Sequence, residues 1–198
     1  MADQLATPQD LASLLQLTYA SLSAAQQATL TMLVELATAK VQRMAGGQRI
    51  VDTTDTAVID VTDPCDPYLP LPQWPVISVT SVELDGTALV VGTDVFLRSQ
   101  MLWRSSGWMN RYSPPSQAVV TSRHGYIAGS QWLQLARDHT LSLAVMGWGN
   151  PTGATSEAID DYRVTYAQAD ARMQPTEQMR AAISDAYGTS AYAVSVRS

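Results

Sequence analysis

Cysteine is almost missing from this chain: Cys65 is the only one in 198 residues. A single thiol cannot close an intrachain disulfide, so the fold must rest on a packed core, and a reducing compartment fits. Cys65 lies between Pro64 and Asp66, without a cationic neighbour to favour the thiolate. Histidine is scarce as well. His124 and His139 are the two present; neither stands in a nucleophile–base motif, and Gly-x-Ser-x-Gly does not occur. With no convergent set of catalytic groups, the chain reads as a non-enzyme.

Lysine is confined to Lys40, one of 12 basic residues set against 18 acidic ones. The net charge of −6 argues against tight nucleic-acid binding, which relies on clustered Lys and Arg. Arginine used in place of lysine suits interface ion pairs, although GC-rich coding accounts for it equally well. Long apolar runs are also missing. A bilayer-spanning helix needs roughly 18 apolar residues, and the longest candidate, Trp132 to Trp148, is broken by Arg137, Asp138 and His139. The opening MADQLATPQD has neither the basic nor the apolar region of a signal peptide. A soluble cytoplasmic protein with no membrane partner is expected.

What remains suffices for a core: 46% of residues are hydrophobic and only 15% charged. So charge-poor a surface hints that neighbours cover part of it. Thr7-Pro8-Gln9-Asp10 reads as a helix start, with Thr7 as N-cap and Pro8 at the first helical position. Leu11, Leu14, Leu15, Thr18 and Leu22 then share a face. Ser23 to Gln26 is a second start of capping-box type. An apolar stripe of Leu30, Leu33, Val34, Ala37, Val41 and Met44 follows, ended by Gly46-Gly47. Two helices joined by a very short turn make a helical hairpin.

From Gln48 to Tyr126 the period changes to two. Arg49-Ile50-Val51, Ala57 to Val61 and Gln117 to Ser122 read as strands. Between them, Trp74 to Trp103 reads as a β-meander. Val76, Val79 and Val82 lie in one strand, Asp85-Gly86 supplies a tight hairpin turn, and Ala88–Val91, Val95–Leu97 and Met101–Trp103 follow. Helix returns over Trp132–Met146 and stops at Gly147-Trp148-Gly149. A last helix is capped at Thr176 and runs to Gly188. The expected fold class is α+β: a helical bundle (hairpin plus later helices) with an inserted small β-barrel or sandwich and an extended C-terminal arm. The expected boundaries are 1–47, 48–127, 128–189 and 190–198.

Two stretches resemble a known family. LPLPQWPVISVTSVELDGTALVVGTDVFLRSQMLWR, residues 69–104, is similar to the β-insert of head-to-tail adaptor (connector) proteins of long-tailed, siphovirus-type phages. There a Leu-Pro entry, a Pro-Val-x-Ser-Val strand, an Asp-Gly turn, Gly-Thr-Asp and a closing strand recur in this order. NPTGATSEAIDDYRVTY, from Asn150 to Tyr166, is similar to the adaptor segment that follows the third helix, with Asp160 where that pattern has glycine. The resemblance implies a structural virion protein of the neck, assembled in the host cytoplasm. It would form a homo-oligomeric ring, of twelve copies in that family, under the portal protein. Its other partner would be a stopper or tail-terminator protein, and DNA would pass through an acidic lumen without specific binding. It also implies that the C-terminal arm docks on the portal.

The arm itself, residues 190–198, alternates Tyr192, Val194 and Val196 and carries Arg197, a pattern suited to strand addition. A tail-terminator or stopper role is the alternative within the virion. A metal-binding or hydrolytic domain is the alternative of a different class. That one rests on Asp52, Asp55, Asp60, Asp63 and Asp66, whose spacing lacks the central glycine and terminal glutamate of an EF-hand. Solvated carboxylates that block edge pairing are the expected reading, with no metal and no cofactor. Trp74, Trp103, Trp108, Trp132 and Trp148 are expected to be core or interface anchors.

Overall fold

In a computed structural model of the chain, residues 4–61, 63, 66–109, 114–149, 156–159, 162–165 and 173–187 are described. Their elements run in order α1 (Pro8–Leu14), a 3-10 turn (Tyr19–Ser21), α2 (Ala24–Met44), β1 (Thr53–Asp60), β2 (Tyr68–Pro70) and β3 (Val76–Leu84). Then come β4 (Thr87–Leu89), β5 (Phe96–Arg98), β6 (Met101–Trp103), β7 (Gln117–His124), α3 (Gln131–Gly149), β8 (Ser156–Ile159), β9 (Tyr162–Thr165) and α4 (Glu177–Tyr187). The chain divides into two compact units. One draws on Met1–Gln48 and Gly129–Ser198 and the other is Arg49–Ala128.

In the helical unit, both sequence-read helix starts are capping boxes. The Thr7 hydroxyl accepts from the Asp10 N–H at 3.1 Å while the Asp10 carboxylate accepts from the Thr7 N–H at 2.9 Å. Ser23 and Gln26 make the same reciprocal pair. The first helix is shorter than expected, because Leu14 is its last residue. The Leu17 N–H donates to Ala12 O at 2.8 Å and the Gln16 N–H to Ser13 O at 3.0 Å, with Gln16 at φ 58°. This is a Schellman stop with glutamine where glycine is usual, so the sequence does not announce it. The face expected to continue through Leu22 therefore never forms, and Leu14 is left 55% exposed. The connection to α2 holds the 3-10 turn instead of a very short link.

The stripe on α2 is buried as read at Leu30, Leu33, Val34, Ala37 and Val41. Gly46 and Gly47, both at positive φ, end the helix through Gly46 N–H to Arg43 O and Gly47 N–H to Gln42 O. α3 packs chiefly on α2 and buries Ala136, Thr140, Leu143, Ala144 and Gly147, a helical-period stripe narrower than its apolar content suggested. The glycine read as a helix stop is a packing glycine inside the helix. A Cβ on Gly147 would meet Met173 Sδ at 2.5 Å and Leu33 Cδ2 at 2.7 Å. α4 begins with the Thr176 hydroxyl accepting from the Met179 N–H at 3.2 Å and buries Ile183 and Tyr187. The Tyr187 hydroxyl donates to Trp132 O. β8 and β9 pair antiparallel, Ser156 with Thr165 and Ile159 with Tyr162; they were not foreseen as strands.

The β unit holds two sheets, β1-β7-β3-β4 and β2-β6-β5, in which every strand pair is antiparallel. β7 is the hub of the first. It pairs with β1 from Thr53–His124 to Asp60–Gln117 without a break, and with β3 across two irregularities. Asp85 and Gly86, at φ 51° and 80°, turn β3 into β4 as expected of that dipeptide. The continuous meander is not found. After β4, Val90 O accepts from the N–H groups of Thr93 and Asp94, and the chain leaves the sheet to pair β5 and β6 beside β2. Arg49–Val51 is likewise not a strand; Val51 makes an isolated bridge to Tyr126.

Among the described residues the sheets do not close into a barrel. Instead one core joins them, with Val82, Leu84, Ala118 and Val120 from the first sheet, Leu69 and Leu102 from the second, and the buried Trp108. Of the two shapes expected, the closed barrel is not formed among the described residues.

Gly125, just after β7, holds φ 96°, and a Cβ there would lie 2.4 Å from Val51 O. Both the conformation and the backbone contact demand glycine. Gly125→Ala is expected to destabilise the β unit by about 2 kcal/mol or more, read by urea denaturation. Gly129→Ala, at positive φ but with nothing within 4 Å, is expected to cost less.

Candidate functional site

The aspartates that tempt a metal reading are distributed by the sheet. β1 alternates half-buried and exposed positions, so Asp55 and Asp60 fall on opposite faces. The Asp52 carboxylate accepts from Arg123 Nε at 2.8 Å and also from its terminal nitrogen Nη2. Asp55 accepts from Arg49 Nη1 at 2.9 Å and lies 3.2 Å from Nε2 of His124. Asp60 accepts from Gln117 Nε2 at 2.9 Å, and Asp66 from the backbone N–H of Tyr68 at 2.8 Å. Among the described residues no group of three His, Cys, Asp or Glu is placed to hold a metal ion. The reading as solvated, edge-blocking carboxylates needs correction too. Asp52 and Asp55 belong to ion pairs, whereas Asp60, Asp63 and Asp66 are exposed.

These pairs sit where the β unit begins and ends. The Tyr126 N–H donates to Ile50 O at 2.8 Å and the Asp52 N–H to Tyr126 O at 3.2 Å, so entry and exit segments lie side by side. The Arg123 guanidinium holds the Asp52 carboxyl below the ordinary carboxylate value, and Asp52 in turn raises Arg123. The sequence offers no signal for this stem, since Asp52 and Arg123 are 71 positions apart. His124 is fully buried, and its Nδ1 finds no hydrogen-bond partner among the described residues.

A second charged cluster lies in the helical unit. Burial would raise the Asp10 carboxyl, but the Thr7 N–H and hydroxyl and the Arg137 guanidinium, 2.7 Å away, outweigh it and hold Asp10 low. Lys40 donates from Nζ to Met173 O at 2.7 Å, and burial depresses its ammonium.

The tryptophans divide. Trp108 is core, with Nε1 donating to Pro67 O at 2.9 Å. Trp103 is half-buried against Phe96, ring centroids 5.9 Å apart. Trp132 is 41% exposed, as are comparable fractions of Met32 and Leu36 on the outer side of α2. Tyr192, Val194, Val196, Arg197, Cys65 and Asp160 lie outside the described residues. Among the described residues no helix is long and apolar enough to cross a membrane.

No protein-family model matches this sequence, and no curated protein matches it. A solved structure does. A chain of the neck of an empty GTA particle, computed with C6 symmetry, matches with a TM-score of 0.54 over 88% of this chain and 91% of that one, at 13% identity. The likeness is one of fold. It spans both units, so the helical unit with an inserted β unit is a shared architecture.

The Asp52–Arg123 pair yields a pH prediction. A carboxyl held below its unfolded value, near 3.9, adds stability that is in place above that value and is lost as pH falls through the lower folded value. Asp52→Asn is therefore expected to flatten the stability-against-pH curve below about pH 4 and to leave its slope above pH 5 unchanged, measured by urea melts across pH.

Proposed function

We propose that this protein is a structural component of the neck of a phage-like particle, a head-to-tail connector that carries out no chemistry. The observation that carries the reading is the fold shared with a chain of the neck of a GTA particle over 88% of this sequence. The resemblance of residues 69–104 and Asn150–Tyr166 to adaptor segments supports it independently of the fold. In the finer reading, copies stand side by side in a closed ring beneath the portal, each contact heterologous and repeated around the axis. The exposed Leu14, Met32 and Leu36 of the helical unit supply apolar area for contacts between copies. The net charge of −6 gives a lumen that repels the DNA backbone, so the duplex slides without being bound. The domain limits 1–47, 48–127, 128–189 and 190–198 remain the working division, with residues 190–198 as the assembly arm.

The test is composition and position in purified particles. Quantitative mass spectrometry is expected to give a copy number equal to a multiple of six, and antibody labelling to mark the junction of head and tail. One or two copies per particle would overturn the ring. A label at the tail side of the neck, away from the portal, would favour a stopper over an adaptor.

A further inference from the structure

β1 is an edge strand with little to protect it. It ends the order β1-β7-β3-β4, and among the described residues no strand lies on its outer side. Its ladder to β7 runs unbroken over eight residues, and its sequence, TTDTAVID, contains no proline and no lysine. Natural edge strands are blunted by shortness, proline, lysine or a bulge. Proline, lysine, shortness and a bulge are absent from β1, whose charged residues are Asp55, on the half-buried face, and Asp60, exposed at its last position.

The Val61 N–H donates to Ser116 O at 2.9 Å, which fixes the alternation of the ladder. Ile59, Ala57 and Asp55 then direct their backbone groups to β7, whereas Thr54, Thr56, Val58 and Asp60 direct theirs outward. The side chains of those same four positions are exposed, Val58 to 60%. The edge thus presents four donor–acceptor pairs beside a surface of threonine and valine.

We propose that this edge receives the C-terminal segment of a neighbouring copy by strand addition. The segment's chemistry fits in three ways. Residues 188–198 follow the end of α4 at Tyr187, and eleven extended residues reach up to about 35 Å, against about 26 Å for an eight-residue strand. Tyr192, Val194 and Val196 alternate with Ala191, Ala193 and Ser195, which puts apolar groups on one face to meet Thr56 and Val58. Arg197 is opposite in sign to Asp60 and Asp63, so a parallel addition sets the cation at the acidic end of the edge. That the donor is a neighbour rests on the ring reading above; that β1 accepts a strand does not.

The test uses the full chain and a fluorescent synthetic peptide of residues 189–198, with binding followed by anisotropy. Saturable binding is expected, weakened at least tenfold by Val58→Lys in a protein whose melting temperature is unchanged. Two further peptides, N-methylated at 192, 194 and 196 or at 193 and 195, leave the protein untouched. One set is expected to lose binding at least tenfold and the other to retain it, because only alternate N–H groups face β1. Failure of the unmodified peptide to bind both the full chain and a chain ending at Tyr187, or equal binding of both methylated forms, would overturn strand addition. Binding to a chain ending at Tyr187 but not to a full chain shown to be monomeric by sedimentation would show that each copy fills its own edge, and would overturn the neighbour as donor. A neck ring found in particles alongside a negative peptide result would sink this proposal and leave the ring standing.

Discussion

The β unit depends on one strand being paired along both edges. β7 is the last strand of its sheet in sequence and lies between the first, β1, and β3. Closing these ladders brings together segments 57 to 71 positions apart on the β1 side and 34 to 48 on the β3 side, at an entropic cost that rises only slowly with separation. Once in register, β7 turns Ala118, Val120 and Ser122 inward and leaves Val119 and Thr121 on the other face. The same register sets Arg123 beside Asp52 and His124 beside Asp55, so the stem charges follow from the ladder. Shifting β7 by one residue would invert both faces at once, so the buried alternation itself specifies the register.

The helical unit is held by close approach. Gly147, without a side chain, lets α3 come within reach of Leu33 on α2 while Met173 covers the crossing. The Asp10–Arg137 pair ties the start of α1 to α3, and Tyr187 ties the end of α4 to the first turn of α3. Each tie reaches between elements far apart in sequence. The outward sides of α1 and α2 meanwhile keep Leu14, Met32 and Leu36 exposed. A firmly packed interior is thus combined with apolar groups left on the surface.

The aspartates of the 52–66 stretch that form ion pairs neutralise arginines at the stem. What the described residues leave exposed includes an apolar helix side, a threonine-rich sheet face and the outer edge of β1.

Local chemistry was enough to mark the capped starts at Thr7, Ser23 and Thr176, the stop at Gly46-Gly47, the Asp85-Gly86 hairpin and the buried stripe of α2. Each is decided by residues within one or two turns of one another, where caps, positive φ and periodicity act. The α+β class followed from the same signals. Tertiary structure decided the rest. Gln16 stops α1 through hydrogen bonds that many residues can make, so its identity carries no mark. Gly147 reads as a terminator until Leu33 and Met173 are placed beside it. Three short apolar runs after Asp85-Gly86 look alike along the chain, and only their partners assign β4 to one sheet and β5 and β6 to another. The aspartates read as one cluster because they are close in sequence. On β1, Asp55 and Asp60 were separated by face. Arg49 reaches Asp55 and Tyr68 reaches Asp66 from nearby in the chain. Arg123 and His124, brought in by β7, meet Asp52 and Asp55 through pairing between distant segments that no local pattern encodes.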